Sequence, residues 1–374
     1  MMRVRARGED IRRFILENVD KHPIGLSNKA AERFGITRQA VNKHLQRLVD
    51  EGALRPIGKT RNRTYKLAPL SEWKREYKIL PDLAEDVVWN RDVLPVLGKQ
   101  PENVLDIWHY CLTEMFNNAM DHSEGKGIFI HVAKTAINTQ IALLDDGIGI
   151  FRKIQTALNL LDERHAILEL SKGKLTTDPG RHTGQGVFFT SRLLDSFDLL
   201  SGGVCFSHAF GDEEDWIMER DQARGGTVVL MKLGNHTART TKRIFDQYSG
   251  DDDYGFNKTV VPVKLAQYGN DRLISRSQAK RVLARVELFK TVIFNFDGVP
   301  TIGQAFADEI FRVFARAHPD IELTPIKANS EVKRMIEATK NTSEQAVVDA
   351  QGVLPLIAAE EAAERNRHNG NDSA

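Results

Sequence analysis

The sequence predicts a multidomain α+β chain: a small helical domain first, a larger α/β sandwich with a mixed sheet in the middle, and a small α/β domain last. Three observations carry this. The chain has 374 residues, and single hydrophobic cores rarely grow beyond about 250–300 residues. Its net charge of +1 hides a basic segment, because residues 1–70 hold 16 Lys and Arg against 7 Asp and Glu while the remainder holds 36 against 44. The hydrophobic pattern also changes along the chain, from helical spacing, to strands around one long helix, to strands and helices in alternation.

With 41% hydrophobic and 28% charged residues, the composition is that of folded domains rather than a disordered chain. No apolar run reaches the roughly 18 residues that span a bilayer, and the start "MMRVRARGEDIRRF" lacks the apolar stretch of a secretory signal. The expectation is a cytoplasmic protein with no membrane partner. Cys111 and Cys205 lie in apolar contexts without metal-ligand spacing, so neither a disulfide framework nor a zinc site is indicated and both read as small core residues.

In residues 1–70, amphipathic patterns cover Glu9 to about Val19, Ser27 to Phe34, and Arg38 to Val49. Gly35 suits the left-handed residue that ends a helix, and the Thr37 hydroxyl suits the start of the next. Two short strands around a Gly-, Lys-, Arg- and Asn-rich turn follow in "ALRPIGKTRNRTYKLA". This order resembles the winged helix-turn-helix family of DNA-binding domains. The resemblance implies double-stranded DNA as partner, with Arg38, Gln39, Asn42, Lys43 and His44 on the third helix at the major groove and Arg61 and Arg63 on the wing. Lys and Arg supply phosphate affinity, while Gln39 and Asn42 can pair with adenine. A protein-docking role is the alternative for such a domain. Residues 71–100 read as a helical linker, with Trp73, Tyr77 and Trp89 as packing residues.

The helix "LTEMFNNAMDHSEG" places Glu114, Asn118, Asp121 and His122 along one stripe. Two strands follow, the second ending in "DDGIGIF", a D-x-G-x-G turn of Asp145, Gly147 and Gly149. "GRHTGQGVFFTSRLLD" then sets Gly180, Gly184 and Gly186 before an apolar helical run, a loop suited to phosphates at a helix N-terminus. "RGGTVVLMKL" puts Gly226 and Thr227 at a strand start. In this order the four elements resemble the ATP-binding domain of the GHKL superfamily over about residues 101–235, and the helix is closest to its anti-sigma-factor kinases. The resemblance implies ATP and Mg2+ as cofactors, Glu114 as the base that orients water, Asn118 as the magnesium ligand, and Asp145 as acceptor of the adenine amine. It places Gly147, Gly149, Gly184 and Gly186 along the nucleotide and Thr227 near the adenine, with Asp121 and His122 flanking. Residues 150–183 are expected to form a helical lid whose Lys174, Arg181 and His182 either reach phosphate or stay solvated.

From about residue 260, strands and helices alternate, which argues a layer with parallel neighbours. Residues 260–340 resemble a STAS-like domain, a relative of the anti-anti-sigma fold and an expected protein-interaction end. The loop "DGVPTIGQAF" lacks that fold's Asp-Ser pair and offers only Thr301, so phosphoregulation there is not expected. Asp308 and Glu309 read as surface charges, and residues 353–374 as a partly disordered tail. The whole reads as an ATP-binding regulator that couples nucleotide binding or slow hydrolysis to DNA and partner binding. An anti-sigma-type serine/threonine kinase and a non-hydrolysing ATP-dependent binding module are the alternatives, and a homodimer is an open assembly state.

Overall fold

Helix formation at the N-terminus follows from capping and from apolar spacing. The computed structural model describes residues 2–59, 63–176, 183–211, 216–250, 253–267 and 272–340. It divides the chain into two compact units, residues 1–247 and 248–374. The first begins with α1 (Met2–Asn18), α2 (Leu26–Phe34) and α3 (Arg38–Asp50). Gly35 ends α2 in the left-handed region at φ 60°, and the Thr37 hydroxyl accepts from the Ala40 amide at 3.2 Å to start α3. Ile11, Ile15, Val41, Leu45 and Leu48 bury a common core among these helices. A hairpin of β1 (Leu54–Ile57) and β2 (Thr64–Leu67) closes it, pairing Arg55 with Lys66.

The stretch expected to be a helical linker instead opens with a strand, β3 (Ser71–Lys78). It pairs with β4 (Gly127–Lys134), from Ser71 opposite Lys134 to Lys78 opposite Gly127. Only after it does the chain turn helical, in α4 (Glu85–Val88), a π-turn over Trp89–Val93, and α5 (Leu94–Leu97). Asp92 ties this helical piece back to the strand. Its carboxylate accepts from the Tyr77 hydroxyl at 2.7 Å and from Arg75 at 3.0 Å, with Arg91 at 2.8 Å. Burial and the Asp92 carboxylate together push the Tyr77 hydroxyl's pKa up.

The long helix α6 (Glu102–His122) precedes β4 and β5 (Asn138–Asp145), and α7 (Ile150–Ala157), α8 (Glu163–Lys172) and α9 (Gly186–Leu193) follow. The hairpin of β6 (Ser196–Ala209) and β7 (Trp216–Gly234) completes a five-stranded sheet of order β3-β4-β5-β7-β6. All four pairings are antiparallel, where a mixed sheet was the expectation. The reason is connectivity: two hairpins lie side by side and β3 adds at one edge, so no neighbours run the same way. Ile128, Ile130, Val132, Ile141, Leu143, Val229 and Met231 are buried. The residues between them in each strand are less so, as for a sheet covered on one face. Trp108, Cys111, Leu112, Met115 and Phe116 of α6 recur at helical spacing and are buried too. Cys205 is likewise buried, and no disulfide joins the two cysteines.

α10 (Thr241–Tyr248) leads out of the first unit. In the second, β8 (Ser249–Gly250) and β9 (Asp253–Phe256) form a small antiparallel pair. β10 (Lys258–Pro262), β11 (Thr291–Asn295) and β12 (Glu322–Ile326) form a three-stranded sheet that is parallel throughout, as the alternating pattern predicts. Its helices include α11 (Arg276–Leu283), started by a Ser275–Gln278 capping box. α12 (Gln304–Asp308) continues through Glu309–Phe314 into α13 (Ala315–Ala317), and a last helix covers 330–340. The tail expected after residue 353 lies outside the described residues. No helix among the described residues is long and apolar enough to cross a membrane.

Candidate functional site

α6 points one polar stripe toward the C-terminal end of β5, and a cavity of about 310 Å³ opens between them. Its lining includes Glu114, Asn118, His122, Asp145, Gly184, Gly186 and Thr227, seven of the residues singled out by sequence. The volume falls at the lower end of small-molecule sites, roughly 300–1,000 Å³.

Asp145 is held at one oxygen. Its Oδ1 accepts the Gly147 amide at 2.9 Å and the Thr227 amide at 3.2 Å, the Thr227 hydroxyl also bonds the carboxylate, and the residue lines the cavity. Burial raises its pKa, and the two amides oppose that shift. The neighbouring Asp146 is used differently. Its Oδ1 accepts the amides of Lys126 and Gly127 at 2.7 and 2.9 Å, locking the start of β4 to the end of β5. Hydrogen bonds from those amides lower its pKa. The Thr227 hydroxyl accepts the Ile150 amide at 3.1 Å, so β7 also fixes the start of α7.

Three of the expected site residues stand apart from the cavity. Asp121 is exposed and does not line it. Gly147 and Gly149 do not line it either. A Cβ on Gly147 would lie 2.8 Å from Ser123 Cβ, and one on Gly149 would run into the Ser201 hydroxyl. Both glycines are needed for close packing against these neighbours. Gly149 also sits at φ 91°, a conformation costly to other residues.

Gly186 does belong to the cavity wall, and its missing side chain makes room for α6. A Cβ there would meet the Glu114 carboxylate and lie 3.3 Å from Glu114 Cβ. Gly186 is the first residue of α9, so the Glu114 side chain packs beside a helix N-terminus. Lys153 is not evident from the sequence, since nothing in its spacing marks it. It lines the cavity and donates to the His122 carbonyl at 2.8 Å and to Glu124 at 3.0 Å. Of the lid cations, Lys174 is half-buried with φ 51°. Gly180, Arg181 and His182 lie outside the described residues.

In the N-terminal helices, Arg38, Gln39, Asn42 and Lys43 are all exposed on α3. His44 is placed differently. It is half-buried against α1, where burial, then Arg12 and Arg47, lowers its pKa. On the hairpin, Arg63 is exposed, and Arg61 lies outside the described residues. Arg55 and Lys66, both exposed and directly opposite one another, were missed. Like charges in that position repel, so the pair concentrates positive potential.

In the second unit, Thr301 is half-buried in the loop after β11. Asp308 is paired with Arg312 through two contacts, one of them at 2.6 Å. Glu309 is not the surface charge expected: it is buried, with Lys280 and Arg276 at 3.9 and 3.8 Å. Residues 278–333 match the family described as a STAS-like domain of unknown function (DUF4325). This portion of the chain is thus similar to STAS-like domains. No curated protein matches the chain.

Proposed function

We propose that the chain is an ATP-binding regulator, with a GHKL-type nucleotide site in its middle, a winged helix that contacts DNA at its start, and the STAS-like domain as its partner-binding end. The observation that carries the nucleotide reading is Asp145. Its carboxylate lines the cavity with one oxygen held by two backbone amides, an acceptor that suits an amine donor such as that of adenine.

The donor set fits the rest of the nucleotide. Gly184 and Gly186 bring bare backbone and a helix N-terminus to the wall, which suits phosphate. Asn118 offers a hard amide oxygen to magnesium, which takes few protein ligands and shares phosphate oxygens and water. Among the described residues no group of three or more His, Cys, Asp or Glu gathers into a metal cluster. The ion would therefore arrive with the nucleotide. Bound magnesium supplies charge neutralisation of the phosphates. Glu114 accepts a proton and orients water, and Lys153 adds a positive charge at the rim.

The DNA reading rests on four exposed α3 side chains and on the opposed cations Arg55 and Lys66. Isothermal titration of the full chain with ATP and magnesium tests the central claim, with GTP as control. Absence of adenine-nucleotide binding at millimolar concentration overturns it.

A further inference from the structure

β5 and β7 are neighbours from Asn138 opposite Gly234 to Leu144 opposite Val228. Both have one end at the cavity and the other at the β4–β5 turn. At the cavity end the pair is clamped by the bond from the Thr227 amide to Asp145. At the far end a second clamp closes. Asn235 donates its side-chain amide to the Thr135 carbonyl at 2.9 Å and its backbone amide to the Ile137 carbonyl at 2.9 Å. Its side-chain oxygen accepts the Thr139 hydroxyl at 2.9 Å. The Thr135 hydroxyl meanwhile donates to the Asn138 carbonyl at 2.9 Å and accepts the Asn138 amide at 3.1 Å. Thr135, Asn138, Thr139 and Asn235 are all buried. A buried polar network with its bonds made is stiff, because losing any one bond strands a polar group.

The turn so clamped carries Ala136, which packs against the core of the N-terminal helices. Beside it, the Leu70 amide donates to the Lys134 carbonyl at 2.7 Å. Only Ala68, Pro69 and Leu70 separate β2 from β3. The N-terminal module is thus joined to the sheet at a short connection and at the tip of a rigid turn.

We propose that the β5/β7 pair, clamped at both ends, transmits the occupancy of the cavity to the N-terminal module through Ala136 and the connection at 68–70. This rests on the nucleotide reading above. A single strand would absorb a shift at Asp145 by local bending. A strand pair fixed at two ends about 25 Å apart, at roughly 3.4 Å per residue, carries a change of twist from one end to the other. Linkage makes the effect reciprocal: DNA must alter nucleotide affinity by the factor by which nucleotide alters DNA affinity.

The test is amide hydrogen exchange on the full chain, with and without ATP and magnesium, for wild type and Ala136→Gly. ATP is expected to slow exchange at 143–147 and also at 64–70 in wild type. In Ala136→Gly the response at 143–147 remains and that at 64–70 disappears. Titration of duplex DNA gives the second readout, in which an ATP effect of about fivefold or more on Kd falls to none in the variant. A wild-type response at 143–147 with none at 64–70 overturns the proposal, as does a variant that keeps both. No wild-type response at 143–147 instead overturns the nucleotide reading itself. The wild-type arm decides even if the variant folds poorly.

Discussion

The Thr227 amide donates to Asp145 Oδ1 at 3.2 Å, joining positions 82 residues apart in the chain. With the Gly147 amide, that bond holds one oxygen of the carboxylate in place at the cavity wall. Asp145→Asn keeps the shape and the acceptor for the two amides, but turns a donor toward the cavity. Adenine-nucleotide affinity should fall tenfold or more, since a donor then faces the amine, and calorimetric titration reads this directly.

The same substitution should raise the melting temperature at neutral pH. Burial lifts the Asp145 pKa in the folded state. The folded state therefore binds the proton more tightly than the unfolded one, and the stability this gives is present at low pH and lost as pH rises through the folded value. The advantage of Asp145→Asn should shrink as pH falls toward the ordinary carboxylate range. Melting curves across pH 3.5 to 8, on the order of one curve per half unit, check the trend. An advantage independent of pH would contradict it.

Glu114→Ala and Asn118→Ala should fail differently. Loss of a positioned base slows hydrolysis by about 10² or more while ATP still binds. Loss of the magnesium ligand weakens binding only when the ion is present. Phosphate release and titrations with and without EDTA separate the two. Equal, modest losses of stability with unchanged nucleotide behaviour would mean that both side chains serve only the fold.

Gly186→Ala should cost about 1–3 kcal/mol of stability, because the added carbon meets Glu114 of α6 and the two helices cannot part freely. Urea unfolding of the full chain measures it. Gly211, where an added Cβ meets nothing within 4 Å, has no such neighbour. Its φ of 87° makes it a control for backbone strain alone.

On duplex DNA, Lys43→Ala and Lys66→Ala should each reduce the slope of log K against log salt by about 1. His44→Gln should leave that slope unchanged, since His44 turns toward α1. Fluorescence anisotropy at several salt concentrations tests both. Incubation with magnesium and ATP should leave Thr301 unmodified by mass spectrometry; stoichiometric phosphate there would promote the kinase alternative.

How far the sequence could be read depended on whether a residue's role shows in its own spacing. The cap at Thr37, the turn at Gly35 and the α6 stripe are local patterns, and they were legible. The parallel C-terminal layer was legible from alternation. β3 was not: in "SEWKREYK" the alternation of Trp73 and Tyr77 is broken by Arg75, whose partner Asp92 lies 17 residues on. Gly147 and Gly149 announced a tight place without saying on which side the space was needed. His44 follows Lys43 by one residue, and the roughly 100° turn of the helix carries it from the exposed face to α1. Glu309 looked like any surface charge until α11 packed over it.

The hold of Asp92 on Tyr77 and Arg75 also bears on how this chain could have been assembled or could be taken apart. β3 and the helices at 85–97 form one piece with the sheet, although they precede the long helix and resemble a connector in the sequence. A recombination joint placed near residue 100 would carry β3, and Asp92 with it, away with the N-terminal module and part them from the β4 edge that β3 covers. The seam at which modules can be exchanged lies earlier, in the three residues Ala68 to Leu70. A chimera joined there should express as a folded protein, and one joined at residue 100 should aggregate through the uncovered strand.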